Sequence, residues 1–455
     1  MKVHFIGIGG IGVSALAQYY LSKGNEVSGS DLARSEITDF LKKLKAKIYI
    51  GNFGKNIKKD FDLVIYSPAV KKNNPELKRA KSYKIKTLSY PEALGELTKE
   101  YFTIAVSGTH GKSTTASMIG LALTKAGLDP TVIVGTKLKE FKQHTHSPEE
   151  GSNFKAGLSK TLVIEADEHF ASFLNYWPKI IVLTNIERDH LDYYKNLKNI
   201  LSSFRKYIRR LGKDGFLVVN EDDKNISKII SEFENLGSKI TEGELASTNH
   251  PSINKFSINE SEAKKIKRLL KMPGRHNIYN ALAVLAVARI LHIPDDITFK
   301  SLSEFKGTWR RFEIKKGKAS KKSITIVSDY GHHPTEVLAT LKAVREKYPK
   351  KNIWCIFQPH QRQRTYYLFD DFVKAFRETP VDNIIITDIY DVAGRETKKI
   401  KAGVSSKKLV KKINQQNVQY LSIDKTEKYV KENIKSGDIL VIMGAGDIYK
   451  LVDKF

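Results

Sequence analysis

The sequence predicts an α/β protein with about three domains and mostly parallel sheets. The chain has 455 residues, and a domain takes roughly 150 residues. Apolar strand-like runs alternate with amphipathic helical segments, which is the pattern of parallel sheets covered by helices. Three of these strands run directly into glycine-rich turns, at Gly7, Gly108 and Gly444. Hydrophobic residues make up 41% of the chain, which excludes a disordered chain.

The first turn, residues 7–12, reads GIGGIG and matches G-x-G-x-x-G between a strand and a helix. Glycines allow a tight turn and a close approach of the backbone to a pyrophosphate, which the start of the helix then binds. Asp31 ends a second strand about 20 residues further on, where an acid accepts from a ribose hydroxyl. The turn predicts a nucleotide-diphosphate site; the alternative is a tight turn without a ligand.

The second turn, residues 107–114, reads SGTHGKST and follows a predicted strand. In such a loop, backbone N–H groups wrap phosphate oxygens, Lys112 reaches the terminal phosphates and the Ser113 hydroxyl binds Mg²⁺. The usual P-loop would need glycine at Val106, so this loop is a shortened variant. A dehydrogenase needs only the first turn and an ATPase only the second. Together they suggest ATP and a second phosphorylated substrate.

Acidic side chains follow two further predicted strands. The strand 162–164 ends in Glu165, and an acid at the carboxyl end of a strand beside a P-loop is well placed for Mg²⁺. The strand 180–183 is followed by an acidic stretch that contains His190. The alternative is that His190 is a solvated loop histidine and that the acids cap helices.

Other segments mark the organisation of the chain. We place boundaries after residues 98 and 306, which predicts domains 1–98, 99–306 and 307–455. The polar segment 137–157 predicts a surface loop, in which His144 and His146 are more often solvated than metal-binding. The single cysteine, Cys355, lies in an apolar run and is expected to be a small buried side chain in a strand.

Charge and hydropathy exclude several classes of protein. Lysine and arginine total 77 and the acids 50, for a net charge of +27. The lysines are spread in short runs, which favours a solvated surface; nucleic-acid binding is the alternative. The sequence lacks an interleaved aromatic and basic module for stacking bases. It also lacks a signal peptide and any apolar stretch near the roughly 18 residues of a membrane span. We therefore expect a cytoplasmic protein without a nucleic-acid partner or membrane insertion.

Several segments together resemble the Mur ligase superfamily of ATP-dependent amide-forming enzymes, over nearly the whole chain. They read GIGGIG, SGTHGKST, EADE, TNIERDHLDYY, GRHNIYNALA, RRFE, DYGHHPTEV, FQPHQRQRT and GAGDI. The resemblance implies an N-terminal Rossmann-like domain for a UDP-sugar, a central P-loop-type ATPase domain and a C-terminal Rossmann-like domain for an amino acid. The resemblance is closest to the alanine-adding branch of the superfamily. It implies a reaction of peptidoglycan synthesis in which L-alanine is joined to the lactyl carboxylate of UDP-N-acetylmuramate. The reaction would use ATP and Mg²⁺ and proceed through an acyl phosphate.

The resemblance also implies roles for individual residues. The UDP-sugar would contact Gly9, Gly10, Gly12, Asp31 and Ser67. ATP would contact Gly108, Thr109, His110, Gly111, Lys112, Ser113, Thr114, Asn277, Asn280, Arg311 and Asp329. Mg²⁺ would be bound by Ser113 and Glu165, with His190 at a second metal site. The amino-acid side of the site would comprise His332, His360 and Arg364. The catalytic groups would be Lys112, His190, Arg311 and His360. The residues alone equally allow the two asparagines as helix caps and Arg310 and Arg311 as surface charges.

Three positions depart from the family pattern. Gln361 follows the histidine of QPH, where arginine is common, which leaves L-alanine, glycine and serine open. Phe204 stands where many relatives carry a carbamylated lysine, as the alanine-adding branch would lead one to expect. His169 follows EADE where small or acidic residues are usual.

Two alternatives to the alanine-adding ligase stay open. They are the tripeptide-recycling ligase of the same superfamily and a nucleic-acid-binding ATPase.

Overall fold

The computed structural model describes residues 1–141, 151–237, 251–391, 400 and 403–455. These residues contain three mostly parallel sheets, which confirms the predicted fold class. They form two compact units. The first unit comprises Met1–Ile186, Leu201–Glu260 and Asn280–Leu302 and contains two of the sheets; the second comprises Glu187–Ile200, Ser261–Tyr279 and Ser303–Phe455 and contains the third. None of the described helices combines the length and the apolar character that a bilayer span requires.

The first sheet is parallel, in the order β3-β2-β1-β4-β5. Its strands are β1 (Lys2–Ile6), β2 (Glu26–Asp31), β3 (Lys47–Ile50), β4 (Leu63–Tyr66) and β5 (Lys86–Ser89). Its helices are α1 (Ile11–Ser22), α2 (Glu36–Lys43), α3 (Pro75–Ser82) and α4 (Tyr90–Glu100). This strand order is that of a Rossmann-like sheet without its sixth strand, and in such sheets ligands bind beyond the carboxyl ends of the central strands.

The second sheet has the order β12-β11-β10-β6-β9-β7-β8, with only the pair β7 and β8 antiparallel. Its strands are β6 (Phe102–Ser107), β7 (Thr131–Leu138), β8 (Ser152–Lys155), β9 (Thr161–Glu165), β10 (Ile180–Leu183), β11 (Phe216–Asn220) and β12 (Ser252–Phe256). The helices along this part of the chain are α5 (Lys112–Lys125), α6 (Leu191–Tyr194), α7 (Leu197–Ile208), α8 (Lys224–Gly237), α9 (Ser261–Leu269), α10 (Arg275–Ile290) and α11 (Asp295–Glu304). Because β6 lies between β10 and β9, the segments that follow these three strands meet at one edge.

The third sheet has the order β13-β14-β18-β15-β16-β17, with an antiparallel hairpin of β13 and β14 at one end. Its strands are β13 (Glu313–Ala319), β14 (Lys322–Asp329), β15 (Ile353–Phe357), β16 (Asn383–Ile386), β17 (Val418–Tyr420) and β18 (Ile439–Met443). Its helices are α12 (Pro334–Lys347), α13 (Arg362–Tyr367), α14 (Phe369–Arg377), α15 (Ser406–Ile413) and α16 (Ile423–Asn433). Cys355 is buried in the central strand β15, as predicted.

The prediction of a surface loop over 137–157 is wrong at both ends, since its first two residues belong to β7 and its last part contains a strand. Residues Ser152–Lys155 form the buried edge strand β8. Asn153 Nδ2 donates to the Ser14 Oγ at 3.0 Å, and its Oδ1 accepts from Gln18 Nε2 at 2.7 Å. This strand is buried through polar contacts with α1, so no apolar alternation marks it in the sequence. His144 and His146 lie outside the described residues.

Candidate active site

The turn 7–12 meets Asp31 and Ser67 at the carboxyl edge of the first sheet. Gly7 has a φ of +79°, and a Cβ there would lie 3.0 Å from the Ser67 Cβ. The Gly9 N–H donates to Asp31 Oδ2 at 2.8 Å, and a Cβ on Gly9 would lie 2.8 Å from the same oxygen. Both positions therefore need glycine. Asp31, predicted to accept from a ribose, also holds the turn through Oδ2.

Helix α1 offers its first N–H groups at this turn. Gly10 is the residue before the helix and supplies no side-chain cap, and the first turn of α1 has no acidic residue. Such a helix start attracts an anion through its N–H groups and its dipole. A Cβ on Gly12 would lie 3.0 Å from the hydroxyl oxygen of Tyr90. Tyr90, which follows β5, thus lines the start of α1, and no sequence motif marks it.

The loop 107–114 connects β6 to α5 and requires glycine at two positions. Gly108 has a φ of +130° and Gly111 a φ of +82°. A Cβ on Gly108 would overlap the Thr184 hydroxyl, and one on Gly111 would lie 2.5 Å from Asn280 Oδ1. Asn280 is one of the two asparagines predicted to bind ATP, and the structure brings it to this loop.

Asn185 holds the same loop from a position two residues after β10, and no predicted role marks it in the sequence. Its backbone oxygen accepts from the Thr109 N–H at 3.0 Å, and its Oδ1 accepts from the His110 N–H at 2.9 Å. Two of the predicted phosphate-binding N–H groups are thus engaged by Asn185. A sequence signal exists, since Asn185 comes two residues after the predicted strand 180–183, which the structure pairs with β6.

Lys112 lies at the start of α5 among carboxylates. Its Nζ donates to the Gly108 carbonyl at 2.6 Å and to Glu168 Oε2 at 2.8 Å, and it lies 3.8 Å from Asp167 Oδ1. Burial lowers the pKa of Lys112, but the charges of Glu168, Asp167 and Glu165 outweigh burial and raise this pKa above its ordinary value. The lysine therefore stays charged at neutral pH.

Ser113 and Glu165 form a pair of oxygen ligands beside Lys112. The Ser113 Oγ donates to Glu165 Oε2 at 2.9 Å, and Glu165 Oε1 accepts from the Gly135 N–H. A hydroxyl and a carboxylate at the ends of α5 and β9 are hard oxygen donors, which fit Mg²⁺. Thr114, the next predicted ATP contact, is buried in the same helical turn.

In the second unit, the structure brings together His190, Arg364 and His360 around Asp189. Arg364 forms a bidentate pair with Asp189, with Nε–Oδ1 of 3.0 Å and Nη2–Oδ2 of 3.1 Å. The Asp189 Oδ1 also accepts from the His190 N–H at 2.8 Å. His360 Nδ1 lies 3.4 Å from Arg364 Nη1. His332 belongs to the same group, since its ring centroid lies 5.9 Å from that of His360.

Burial and charge set the protonation of this group. Burial raises the pKa of Asp189, but Arg364, His190 and His333 outweigh it and hold this pKa well below its ordinary value. Burial is also the main reason why the pKa of His332 lies well below its ordinary value. Asp189 is therefore a carboxylate, and His332 is a neutral imidazole, at neutral pH.

Arg311 lies two residues before β13, and Asp329 is the last residue of β14. Asp329 is buried and accepts from the N–H groups of Phe312 and Gly331, each at 2.8 Å. Burial raises its pKa. Arg311 Nη1 lies 3.8 Å from Glu336 Oε1.

Arg310 is buried, so its interpretation as a surface charge is wrong. Its guanidinium donates to the carbonyls of Gly444 and Gly446 and packs over the rings of Tyr330 and Tyr449. It thereby connects the RRFE segment to the third glycine-rich turn. The sequence did not distinguish its role from that of Arg311.

The remaining predicted positions lie in helices or cores. Asn277 is buried, and its Nδ2 donates to the Pro273 carbonyl at 2.8 Å. Phe204 is buried against Phe173 at a ring distance of 5.1 Å. An apolar pocket of this kind does not suit a carbamylated lysine.

The chain is similar to known proteins over nearly its whole length. Three family models match consecutive parts of the chain: the Mur ligase family catalytic domain at residues 2–102, the Mur ligase middle domain at 106–288 and the Mur ligase glutamate ligase domain at 310–446. The UDP-N-acetylmuramate–L-alanine ligase of Acetivibrio thermocellus is 42% identical, over 100% of this chain and 95% of that protein. That of Clostridium kluyveri is 41% identical, over 99% of this chain and 96% of its own. The crystal structure of UDP-N-acetylmuramate–alanine ligase from Thermotoga maritima matches with a TM-score of 0.75 and 27% identity, covering 100% of this chain and 98% of that one. By full-length identity above 40% and by its fold, the chain belongs to the Mur ligase family.

Proposed function

We propose that this chain is an ATP-dependent ligase that joins L-alanine to the lactyl carboxylate of UDP-N-acetylmuramate in peptidoglycan precursor synthesis. The observation that carries the proposal is the presence of two glycine-rich, helix-initiating turns at strand ends in one unit, residues 7–12 and 107–114. The curated relatives with 40–42% identity over nearly their whole length bear the name of this ligase, which supports the same activity. We assign UDP-sugar binding to residues 1–98, ATP binding to 99–306 and amino-acid binding to 307–455.

The UDP-sugar is proposed to bind at the first turn. Its diphosphate would accept from the N–H groups at the start of α1, near Gly10 and Gly12, because these groups face no acidic side chain in the first turn of the helix. Asp31 and Ser67 would contact the nucleoside and sugar beside the turn.

ATP is proposed to bind at the second turn, where Lys112 neutralises the charge of the terminal phosphates. Ser113 and Glu165 would hold Mg²⁺, which supplies further neutralisation of the phosphate charge when bound. We assign adenine contacts to Asn277 and Asn280, and ribose and phosphate contacts to Asp329 and Arg311. Such a site accelerates phosphoryl transfer mainly by positioning and electrostatic stabilisation.

The reaction needs no enzyme nucleophile. A carboxylate is a poor acylating agent, so the lactyl carboxylate attacks the γ-phosphorus of ATP, which releases ADP and forms an acyl phosphate. The amine of L-alanine then attacks the acyl carbon, and inorganic phosphate leaves through a tetrahedral intermediate. Cys355 fits this scheme as a bystander, because burial raises the pKa of its thiol.

We assign the amino-acid side of the site to His332, His360 and Arg364. Arg364 would use Nη1 toward the alanine carboxylate, since Nε and Nη2 already donate to Asp189. The proton of the attacking amine needs a base, for which His360 and His190 are the two candidates. His190 is also assigned to a second metal site.

The deciding experiment is an activity screen that scores phosphate release with ATP and UDP-N-acetylmuramate. L-alanine, glycine, L-serine and the tripeptide Ala-Glu-diaminopimelate are each offered as the amine, and RNA or DNA is added in separate reactions. We expect release with L-alanine above all others and no stimulation by nucleic acid. Preference for the tripeptide, or hydrolysis that depends on nucleic acid, would overturn the proposal.

A further inference from the structure

Tyr90 lies where the chain passes from the first sheet to the second sheet of the first unit. It is the first residue of α4, directly after β5. The preceding Ser89 forms a capping box with Glu92, in which the Ser89 N–H donates to Glu92 Oε2 at 2.7 Å. Pro91 follows in the first turn. A capped helix start with proline restricts the backbone on both sides of Tyr90.

Helix α4 is also held against the segment that precedes β10. A Cβ on Gly95 would overlap the backbone oxygen of Asn175, so the helix and this segment are in direct backbone contact. The Trp177 N–H donates to the Thr98 Oγ1 at 3.0 Å. These contacts fix α4, and with it the origin of the Tyr90 side chain, relative to the second sheet.

The Tyr90 phenol lies at the first anion-binding turn. Its hydroxyl oxygen would be 3.0 Å from a Cβ on Gly12, at the start of α1. Burial raises the pKa of Tyr90, and the charges of Glu165 and Asp167 raise it further. The phenol is thus a neutral donor at the start of α1, and it feels the charge of the proposed Mg²⁺ ligand Glu165.

We propose that the Tyr90 hydroxyl donates a hydrogen bond to the lactyl carboxylate of UDP-N-acetylmuramate and directs it toward the Ser113–Glu165 end of the second turn. The inference deepens the proposed function and rests on it. A substrate carboxylate that approaches Glu165 and Asp167 enters a region of like charge. A protonated phenol gives this carboxylate a hydrogen-bond donor. A lysine in its place would form an ion pair with the enzyme's own acids, whereas the neutral phenol does not.

The test is Tyr90→Phe, which removes only the hydroxyl. Calorimetry measures binding of UDP and of UDP-N-acetylmuramate to the full chain in the absence of ATP. We expect the Kd of UDP-N-acetylmuramate to rise roughly tenfold, since a hydrogen bond to a charged group is lost. We expect the Kd of UDP to change by less than about twofold, because UDP lacks the lactyl group. In steady-state assays the KM for the UDP-sugar should rise while the KM for ATP stays constant.

Tyr207→Phe is the matched control, because it removes a phenolic hydroxyl in the buried core of the same unit. It should leave both Kd values unchanged. Equal weakening of UDP and UDP-N-acetylmuramate by Tyr90→Phe would overturn the inference, as would unchanged binding of both. If the wild-type chain itself fails to bind UDP-N-acetylmuramate, the proposed function falls and the inference falls with it. If the wild-type chain binds and the variant binds as tightly, only the inference falls.

Discussion

His4 makes the stability of the first unit depend on pH. The side chain is buried in the middle strand of the first sheet. Its Nδ1 lies 2.9 Å from the Ser28 Oγ, and its ring stacks on Phe61 at 5.3 Å. Its Nε2 has no hydrogen-bond partner among the residues that the structure describes. A proton on this nitrogen would be an uncompensated buried charge, and burial accordingly lowers the pKa of His4 to about 3.

The sign and size of the effect follow from this pKa. The unfolded chain has an ordinary histidine pKa of 6.5, whereas the folded chain has about 3. Below pH 6.5 the unfolded chain therefore binds a proton that the folded chain does not, and stability falls as the pH falls. Between about pH 7.5 and about pH 5 the linkage removes about 2 kcal/mol from the free energy of unfolding.

The assay is denaturant unfolding of the wild-type chain and His4→Phe at the two pH values. We expect the stability difference between wild type and variant to shift by about 2 kcal/mol in favour of the variant at the lower pH. Phe61→Leu is the control, because it alters the same packing without removing a titratable group, and its effect should be equal at both pH values. A His4→Phe effect that is also equal at both would refute the reasoning.

Three further substitutions test the site and its support. Lys112→Met removes the cation proposed to face the terminal phosphates, so phosphate release should fall by roughly 100-fold or more. Binding of UDP-N-acetylmuramate, measured by calorimetry, should stay unchanged. Near-normal turnover would contradict the assignment. Asp189→Asn leaves Arg364 buried without its carboxylate, so the free energy of unfolding should fall by about 3 kcal/mol. Denaturant unfolding at neutral pH measures this change. A change within experimental error would mean that the pair is not buried in solution. Phe204→Lys places an ammonium against Phe173 and should lower the free energy of unfolding by about 4 kcal/mol in the same assay. A variant as stable as the wild-type chain would exclude the packing of Phe204 against Phe173.

The sequence predicts the central strands well and the edge strands poorly. The strand 180–183 has the predicted bounds, and the apolar runs LVIY and ILVIM coincide with β4 and β18. Central parallel strands are buried on both faces, so they read as continuous apolar segments. The edge strands Ser152–Lys155 and Ser252–Phe256 read SNFK and SINKF and carry polar residues that a local pattern assigns to loops. Their pairing comes from contacts with neighbouring strands, which the local sequence does not encode.

The same limit applies to the candidate site. Glycines and Lys112 are predictable because the turn itself dictates them, through positive φ angles and the start of a helix. The partners of these groups come from distant parts of the chain: Lys112 pairs with a residue 56 positions away, and Arg364 with one 175 positions away. Tyr90 escapes notice for a similar reason, because only the packing of α4 brings its phenol to Gly12.

The Lys112–Glu168 pair of the first unit and the Arg364–Asp189 pair of the second unit differ in geometry. Lys112 donates to Glu168 with one rotatable ammonium, and part of its side chain is exposed. An ammonium is a point charge with three donors, so it can turn toward a phosphate while it stays beside the buried Glu168. Arg364 donates to Asp189 through two parallel bonds between buried groups, which is a geometry that a ligand cannot replace without leaving a buried charge. In the proposed function, Lys112 would therefore be the cation that follows the substrate, whereas Arg364 would keep its carboxylate and act through its remaining nitrogen.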